Sequence, residues 1–349
     1  MALKFIDSMA HYGTNLSTVF ERKWTNVNLV SWEASGGRRN APYLNIFGGG
    51  LLKTIARGTH FIQGAAIGNV IIPVPMLTLA INVSSVVSLN LNDDATISVL
   101  GGTVELGKSG YAVTDVTAFH YYEMDATIGA AGGTYTATAT IVVDGFTFGT
   151  FSGATNVPTS LDFSASNSVN GIGFLTNGTY SVMDYYCIDT SNTDINGDAT
   201  TNTALLGDVE IDALFPATDV TTGWGTVGGD GTHAYSVINQ SPSGDDSDYV
   251  YTTNTNTTSE GFNYQSIASF SGTILGAQYL VCARKDAEGT RVIAMTVGAN
   301  TCTSINFLAT TQYLSDYYVY FITPLDTDFG TTWTDAVYDA EVFGFTLID

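Results

Sequence analysis

Basic residues are scarce in this chain of 349 residues: 11 Lys and Arg stand against 33 Asp and Glu, for a net charge of −22. Nothing basic occurs between Lys108 and Arg284. A chain so poor in cations does not hold phosphate backbones or anionic membrane surfaces, which need clustered Lys and Arg, so nucleic acid is excluded as a partner. Cysteine is nearly absent too. Cys187, Cys282 and Cys302 are far apart, odd in number and form no C-x-x-C or Cys/His pairing, which excludes a disulfide framework and a zinc site and fits a reducing folding compartment. The opening Met1–Asp7 has no apolar core of signal-peptide length, so no Sec-type export route is expected. The only membrane-like stretch, Phe61–Asn92, carries no charge but is broken by Asn69, Pro73, Pro75 and Asn82. A spanning helix needs about 20 steadily apolar residues, so buried strands explain it better than membrane insertion. Helical periodicity is confined to one short candidate, Asn15–Lys23, with Asn15 as its cap.

What is present is an apolar share of 44%, too high for a disordered acidic tail and enough for proper cores. Charged residues are 13% of the chain, about half the usual share, and Thr, Ser, Asn and Gly replace them. The length suits two domains. Short β-branched and aromatic runs recur between Gly, Asn and Asp. Thr96–Leu100 and Thr103–Leu106 flank Gly101-Gly102, and Tyr135–Val143 turns at Asp144-Gly145 into Phe146-Thr147-Phe148. Asp-Gly and Gly-Gly between such runs signal hairpins because they tolerate positive φ. Strands at this spacing predict an all-β chain of two antiparallel β-sandwich (jelly-roll) domains, 1–205 and 206–349. The Ser/Thr/Asn/Gly-rich loop Thr190–Thr203 precedes the boundary, and a renewed strand, Leu206–Ile211, follows it. After a second polar loop, Gly228–Asp248, six runs supply the second sandwich: Phe262–Ile274, Ala277–Arg284, Arg291–Val297, Thr303–Leu308, Tyr317–Phe321 and Ala340–Ile348.

The order of several short pieces is informative. Phe5-Ile6-Asp7-Ser8-Met9-Ala10-His11-Tyr12 is followed by Lys23-Trp24, then by Gly37-Arg38-Arg39 leading into Tyr43-Leu44-Asn45-Ile46. Asp184–Asp189 and Leu206–Ile211 come later, and Ala283-Arg284-Lys285-Asp286 precedes Gly289-Thr290-Arg291. This series resembles tailed-bacteriophage virion structural proteins with concanavalin- or laminin-G-like jelly-roll domains. The resemblance spans most of the chain. It implies synthesis in the host bacterial cytoplasm and a place on the virion surface, with capsid or tail proteins as partners, and a homo-oligomer, a trimer by analogy.

Chemistry-bearing motifs are few. Gly102–Ser109 fits the phosphate-loop pattern G-x-x-x-x-G-K-[ST], which works only between a strand and a helix N-terminus. Here the chain continues as turn and strand, so nucleotide binding is not expected and Lys108 is expected in a solvent turn. Asp189, Asp194, Asn196 and Asp198 place hard oxygen donors in one loop, a candidate Ca²⁺ site beside the plainer reading of an Asx-rich turn. No other cofactor is implied. No G-x-S-x-G occurs, and the four histidines have no Ser/Asp pattern around them. Glu123 and Asp125 share one strand face about 7 Å apart, an arrangement that usually faces solvent. Tyr121-Tyr122, Tyr185-Tyr186 and Tyr317-Tyr318 are strand doublets, so one ring of each is expected to face outward, for packing or for stacking on sugars. Residues 1–57 hold 7 basic and 3 acidic groups, and the remainder 4 and 30, so the first stretch is +4 and the rest −26. Arg22, Lys23, Arg38 and Arg39 are therefore the candidate contacts to an acidic partner.

The expected function is that of a non-enzymatic, surface-exposed virion component: a head-decoration, fibre or tail-surface protein. The alternative is a glycan-binding adhesin on the same fold, contacting a host surface glycan. A polysaccharide-degrading enzyme is a third reading, and fold alone does not choose among the three.

Overall fold

The computed structural model describes residues 2–9, 12, 24–81, 84–161, 169–175, 178–190, 204–239, 248–253, 259–267, 274–283, 292–298, 300–306, 314–322 and 334–348. The chain is all-β, and every strand pair among the described residues is antiparallel. It divides into two compact units, one extending to Asp212 and the other taking up the chain from Ala213.

Thirteen strands build the first unit: β1 (Ala2–Asp7), β2 (Asn26–Glu33), β3 (Tyr43–Gly58), β4 (His60–Ile71), β5 (Val74–Ile81), β6 (Ser84–Leu91), β7 (Thr96–Gly101), β8 (Val104–Ala112), β9 (His120–Ala131), β10 (Thr134–Val143), β11 (Phe146–Pro158), β12 (Val169–Leu175) and β13 (Thr179–Asp189). They pair in the order β11-β10-β9-β4-β13-β3-β12-β5-β6-β7-β8, with β1 on β13 and β2 on β3. The uncharged stretch from Phe61 is thus strands β4, β5 and β6, and no helix among the described residues is long and apolar enough to cross a membrane.

The alternation read from the sequence decides which face each strand buries. On β10, Tyr135, Ala137, Ala139 and Ile141 are buried while the intervening threonines are not. On β9, Tyr122, Met124, Ala126 and Ile128 form the core face. The sheet curls until its end strands meet. Asn156 of β11 accepts from the Thr103 amide at 3.0 Å, and its Nδ2 donates to Thr103 Oγ1 at 2.6 Å.

One end of the core is aromatic. Trp24 lies 4.7 Å from Phe5 and 5.5 Å from Tyr185, and Phe174 lies 5.1 Å from Tyr185. Asp7 is buried at this end and accepts hydrogen bonds from Trp24 Nε1 at 2.8 Å, the Met9 amide at 3.0 Å and the Tyr12 hydroxyl. These partners give the Phe5–Tyr12 and Lys23-Trp24 pieces a physical role, because a buried carboxylate persists only when its lone pairs are met.

The second unit holds a five-stranded sheet, β14-β17-β22-β19-β20, from β14 (Pro216–Thr221), β17 (Ser259–Tyr264), β19 (Val292–Val297), β20 (Asn300–Asn306) and β22 (Phe343–Ile348). Two ribbons accompany it: β15 (Gly225–Val227) with β16 (Tyr249–Tyr251), and β18 (Gly276–Ala283) with β21 (Leu314–Ile322). Two short helices, α1 (Ala234–Ile238) and α2 (Asp335–Ala340), complete the described elements. Met295, Val297, Phe343 and Tyr279 form one buried cluster, and Ala234, Phe262 and Phe345 another.

Three local expectations are corrected. Leu206–Ile211 is not a strand but an extended strap without a ladder, because its amides are taken by side chains of the first sheet. Lys108 is not in a turn: it lies within β8, opposite Ser98, and bonds Asp94 at 2.8 Å. The loop expected at Gly228–Asp248 contains α1, whose first amides, at Ala234 and Tyr235, are held by Asp219. The expected helix Asn15–Lys23 falls outside the described residues.

Candidate functional site

Two surfaces of the first unit gather chemistry-bearing side chains. The first is the outer face of β9, β4 and β13. Tyr121 and Glu123 point away from the core on β9, and Tyr186 stacks on Tyr121 with centroids 6.5 Å apart. Gly64 between them is required, since a Cβ there would lie 2.5 Å from the Tyr186 ring. Asp184 sits in an irregularity of the β13–β4 register at φ +51°, a conformation that Asp tolerates better than most residues.

The strap, residues 204–212, lies over this face. Its Leu206 amide donates to Tyr186 Oη at 3.2 Å, Gly207 to Glu123 Oε1 at 2.9 Å and Ile211 to Asp184 Oδ1 at 3.1 Å. Tyr186 Oη donates to Glu123 at 2.5 Å, and Tyr121 Oη donates to the Asp184 carbonyl at 3.1 Å. Arg38 reaches Asp184 at 3.4 Å and also pairs with Asp208 of the strap, while Arg39 pairs with Glu210. The Arg38 guanidinium stands 5.5 Å from the Tyr121 ring centre.

The strap leaves Glu123 1% and Asp184 3% exposed. Burial pushes Asp184 up to about 7, against the Ile211 amide and Arg38, which favour the charged form. Burial likewise raises Glu123, against the Tyr186 hydroxyl and the Gly207 amide. The strap also explains why the outward rings of both tyrosine doublets are buried: Tyr121, Tyr122, Tyr185 and Tyr186 are all covered. Glu123 does not face solvent as expected. Asp125, two residues on, is half-buried and bonds His60 at 2.7 Å. The side chains of Tyr317 and Tyr318 lie outside the described residues.

The second surface is at the rim where β8 approaches the β10–β11 hairpin. Tyr111 and Phe146 are 55% and 52% exposed. Their centroids are 5.0 Å apart, edge to face, and Phe148 joins at 6.1 Å from Tyr111 and 5.8 Å from Phe146. Polar groups come from the turn of the same hairpin and from the segment that follows β8. His120 bonds Asp144, in the hairpin turn, at 2.6 Å and the Asp115 carbonyl at 3.2 Å. Burial disfavours a charge on His120, but the Asp144 carboxylate outweighs it and the pKa is raised. The Asp115 carboxyl is lowered by the hydroxyl and amide of Thr117. Neighbouring aromatics can stack on an apolar face, and two acids and an imidazole can bond hydroxyls. Phe146 and Phe148 were read from the sequence only as a hairpin strand, and Tyr111 only as the continuation past the false phosphate loop. The exposed aromatics flanking Asp-Gly were the available signal.

The other expected site residues are placed as follows. Arg38 and Arg39 are paired within the first unit, and Arg22 and Lys23 fall outside the described residues. Of the calcium set, Asp189 is a fully buried strand residue paired with Ala2 at the end of β13, so it does not belong to a loop. Asp194, Asn196 and Asp198 fall outside the described residues. Among the described residues no group of three or more His, Cys, Asp or Glu is placed to hold a metal ion.

No protein-family model and no curated protein matches the sequence. Among solved structures, the chain is similar to a Trypanosoma rangeli sialidase at 13% identity and TM-score 0.28, over 45% of this chain and 27% of the sialidase. The match thus spans about a quarter of the sialidase's length. The chain is also similar to a Bacillus licheniformis β-glucanase at 13% identity and TM-score 0.28, over 54% and 99% of the two chains. A Lotus tetragonolobus seed lectin matches at 9% identity and TM-score 0.28, over 53% and 97%. The expectation of a chain without enzymatic activity does not stand, since glycoside hydrolases occur among its structural neighbours beside lectins. At this similarity the matches transfer neither activity.

Proposed function

We propose that the chain is a glycan-binding β-sandwich protein carried on the surface of a bacteriophage particle, and that it holds neutral sugars at the Tyr111, Phe146 and Phe148 rim. The observation that carries the glycan reading is this group of mutually packed rings, two of them more than half exposed. Large exposed apolar groups that cluster mark interaction sites more often than chance surface exposure. Rings of this kind stack on the C–H face of a pyranose. The net charge of −22 disfavours anionic polysaccharides and points to neutral ones. The phage setting rests on the sequence resemblance, and with it the capsid or tail partners and the homo-oligomer, trimeric by analogy.

The test is binding of neutral oligosaccharides to the purified chain and to Tyr111→Ala and Phe146→Ala. Each substitution removes about 1–1.5 kcal/mol of ring contact, so affinity falls roughly tenfold with the melting curve preserved. Reducing-sugar release in the same samples distinguishes hydrolysis from binding alone. Equal affinity in all three proteins refutes the rim as the sugar site. Antibody labelling of purified particles tests the setting.

A further inference from the structure

The structure assigns the strap, residues 204–212, the role of a latch on the outer face of β9, β4 and β13, closed in acid and loosening as the pH rises through neutrality. Geometry carries this first. The strap has no backbone ladder; three of its amides, at Leu206, Gly207 and Ile211, end on Tyr186, Glu123 and Asp184. Two of those three acceptors are titratable carboxyls buried by the strap itself. A segment held this way has its stability tied to the protonation of the groups beneath it.

Among the described residues, the charged and titratable groups around the latch are these. From β9 come Tyr121 and Glu123, and from β13 Asp184 and Tyr186. Arg38 and Arg39 come from the turn before β3, and Asp208, Glu210 and Asp212 from the strap. Arg38 favours an ionised Asp184, but it is shared with Asp208, and Asp212 opposes it. Burial therefore dominates, and Asp184 holds its proton up to about pH 7. An opened strap returns this carboxyl to water, where its pKa is near 3.9, about the ordinary value. The closed form thus binds the proton more tightly. Acid favours closure, and the advantage is lost progressively as pH rises from the ordinary carboxylate range through the closed-state value. Glu123 is shifted in the same direction and adds to the effect. Release exposes the stacked Tyr121–Tyr186 pair with both acids.

Amide hydrogen exchange on the full chain at pH 5 and pH 8, corrected for intrinsic base catalysis, tests the latch. The expected result is that protection at Leu206, Gly207 and Ile211 falls at least tenfold relative to the sheet amides of Val182 and Met124. The Asp184→Asn/Glu123→Gln variant keeps the acceptors without the charge, and its strap protection stays within twofold between the two pH values. Unchanged wild-type protection, or the same loss in the variant, overturns the latch. A carboxyl-carbon titration of Asp184 in the wild-type chain serves where the variant does not fold. A midpoint within one unit of 7 supports the latch, and one near 4 overturns it.

Discussion

Glu260, on β17, divides its two oxygens between different circumstances. Oε2 accepts from the Gly223 and Trp224 amides at 2.7 and 2.9 Å, whereas Oε1 is buried with no hydrogen-bond partner among the described residues. Burial raises its pKa, against those two amides. The folded chain therefore binds this proton more tightly than the unfolded chain. The resulting stability is complete below the ordinary carboxylate range and is lost as pH rises through the folded-state value. Glu260→Gln keeps an acceptor for the two amides and removes the charge. It should stabilise the protein by about 1 kcal/mol at pH 8 in urea melts, with the gain vanishing toward pH 4. A constant difference across that range rules the mechanism out. Nothing in the sequence around Ser259-Glu260-Gly261 marks this glutamate as buried, because the amides that hold it come from Gly223 and Trp224, more than thirty residues earlier in the chain.

At the scale of elements, the resemblance of Gly102–Ser109 to a phosphate loop dissolves into sheet packing. Gly102 turns β7 into β8 at φ +65°, and a Cβ there would lie 2.1 Å from Asn156 Oδ1. Gly107 is needed for a different reason: Phe151 of β11 lies across it, and a Cβ would come within 2.4 Å of the ring. Both glycines serve the meeting of the two end strands. Gly107→Ala should cost about 1–3 kcal/mol by overpacking. Phe151→Leu in the same chain should recover part of that loss, a coupling that a double-mutant cycle measures. Additive losses would contradict the contact. The strands themselves were legible, since alternation in Tyr135–Val143 and the Asp144-Gly145 turn are local signals. The strap was not. Leu206–Ile211 alternates like a strand, and only long-range partners, Glu123 and Asp184, turn its amides away from a ladder.

For the whole molecule, the all-β class followed from turn spacing and composition, whereas the sites did not. Asp184, Glu123 and Arg38 are brought together by β13, β9 and the turn before β3, elements separated by up to 146 residues, and no local pattern encodes such a meeting. The extent of the first unit has a direct test. A fragment ending at residue 205 lacks the amides of Leu206, Gly207 and Ile211, so it leaves two carboxyls and a phenol of the outer face without their covering. A fragment ending at Asp212 retains them. The longer fragment should melt at a higher temperature at pH 5, by several degrees if about 1–2 kcal/mol is involved. Coincident melting would show that the strap contributes nothing to the fold.

The pairing of β1 with β13 has a consequence for synthesis. Asp7 is matched with Tyr185, and Ala2 with Asp189, so β1 waits for its ladder partner β13 while about 180 further residues are made. At about 5–20 residues per second that wait is roughly 10–40 s. During it Phe5 and Asp7 lack Tyr185, the ring against which Phe5 and Trp24 close. A topology so dominated by distant partners folds slowly. β1 therefore spends that interval as an apolar segment awaiting its place, the condition in which a chaperone's shelter counts.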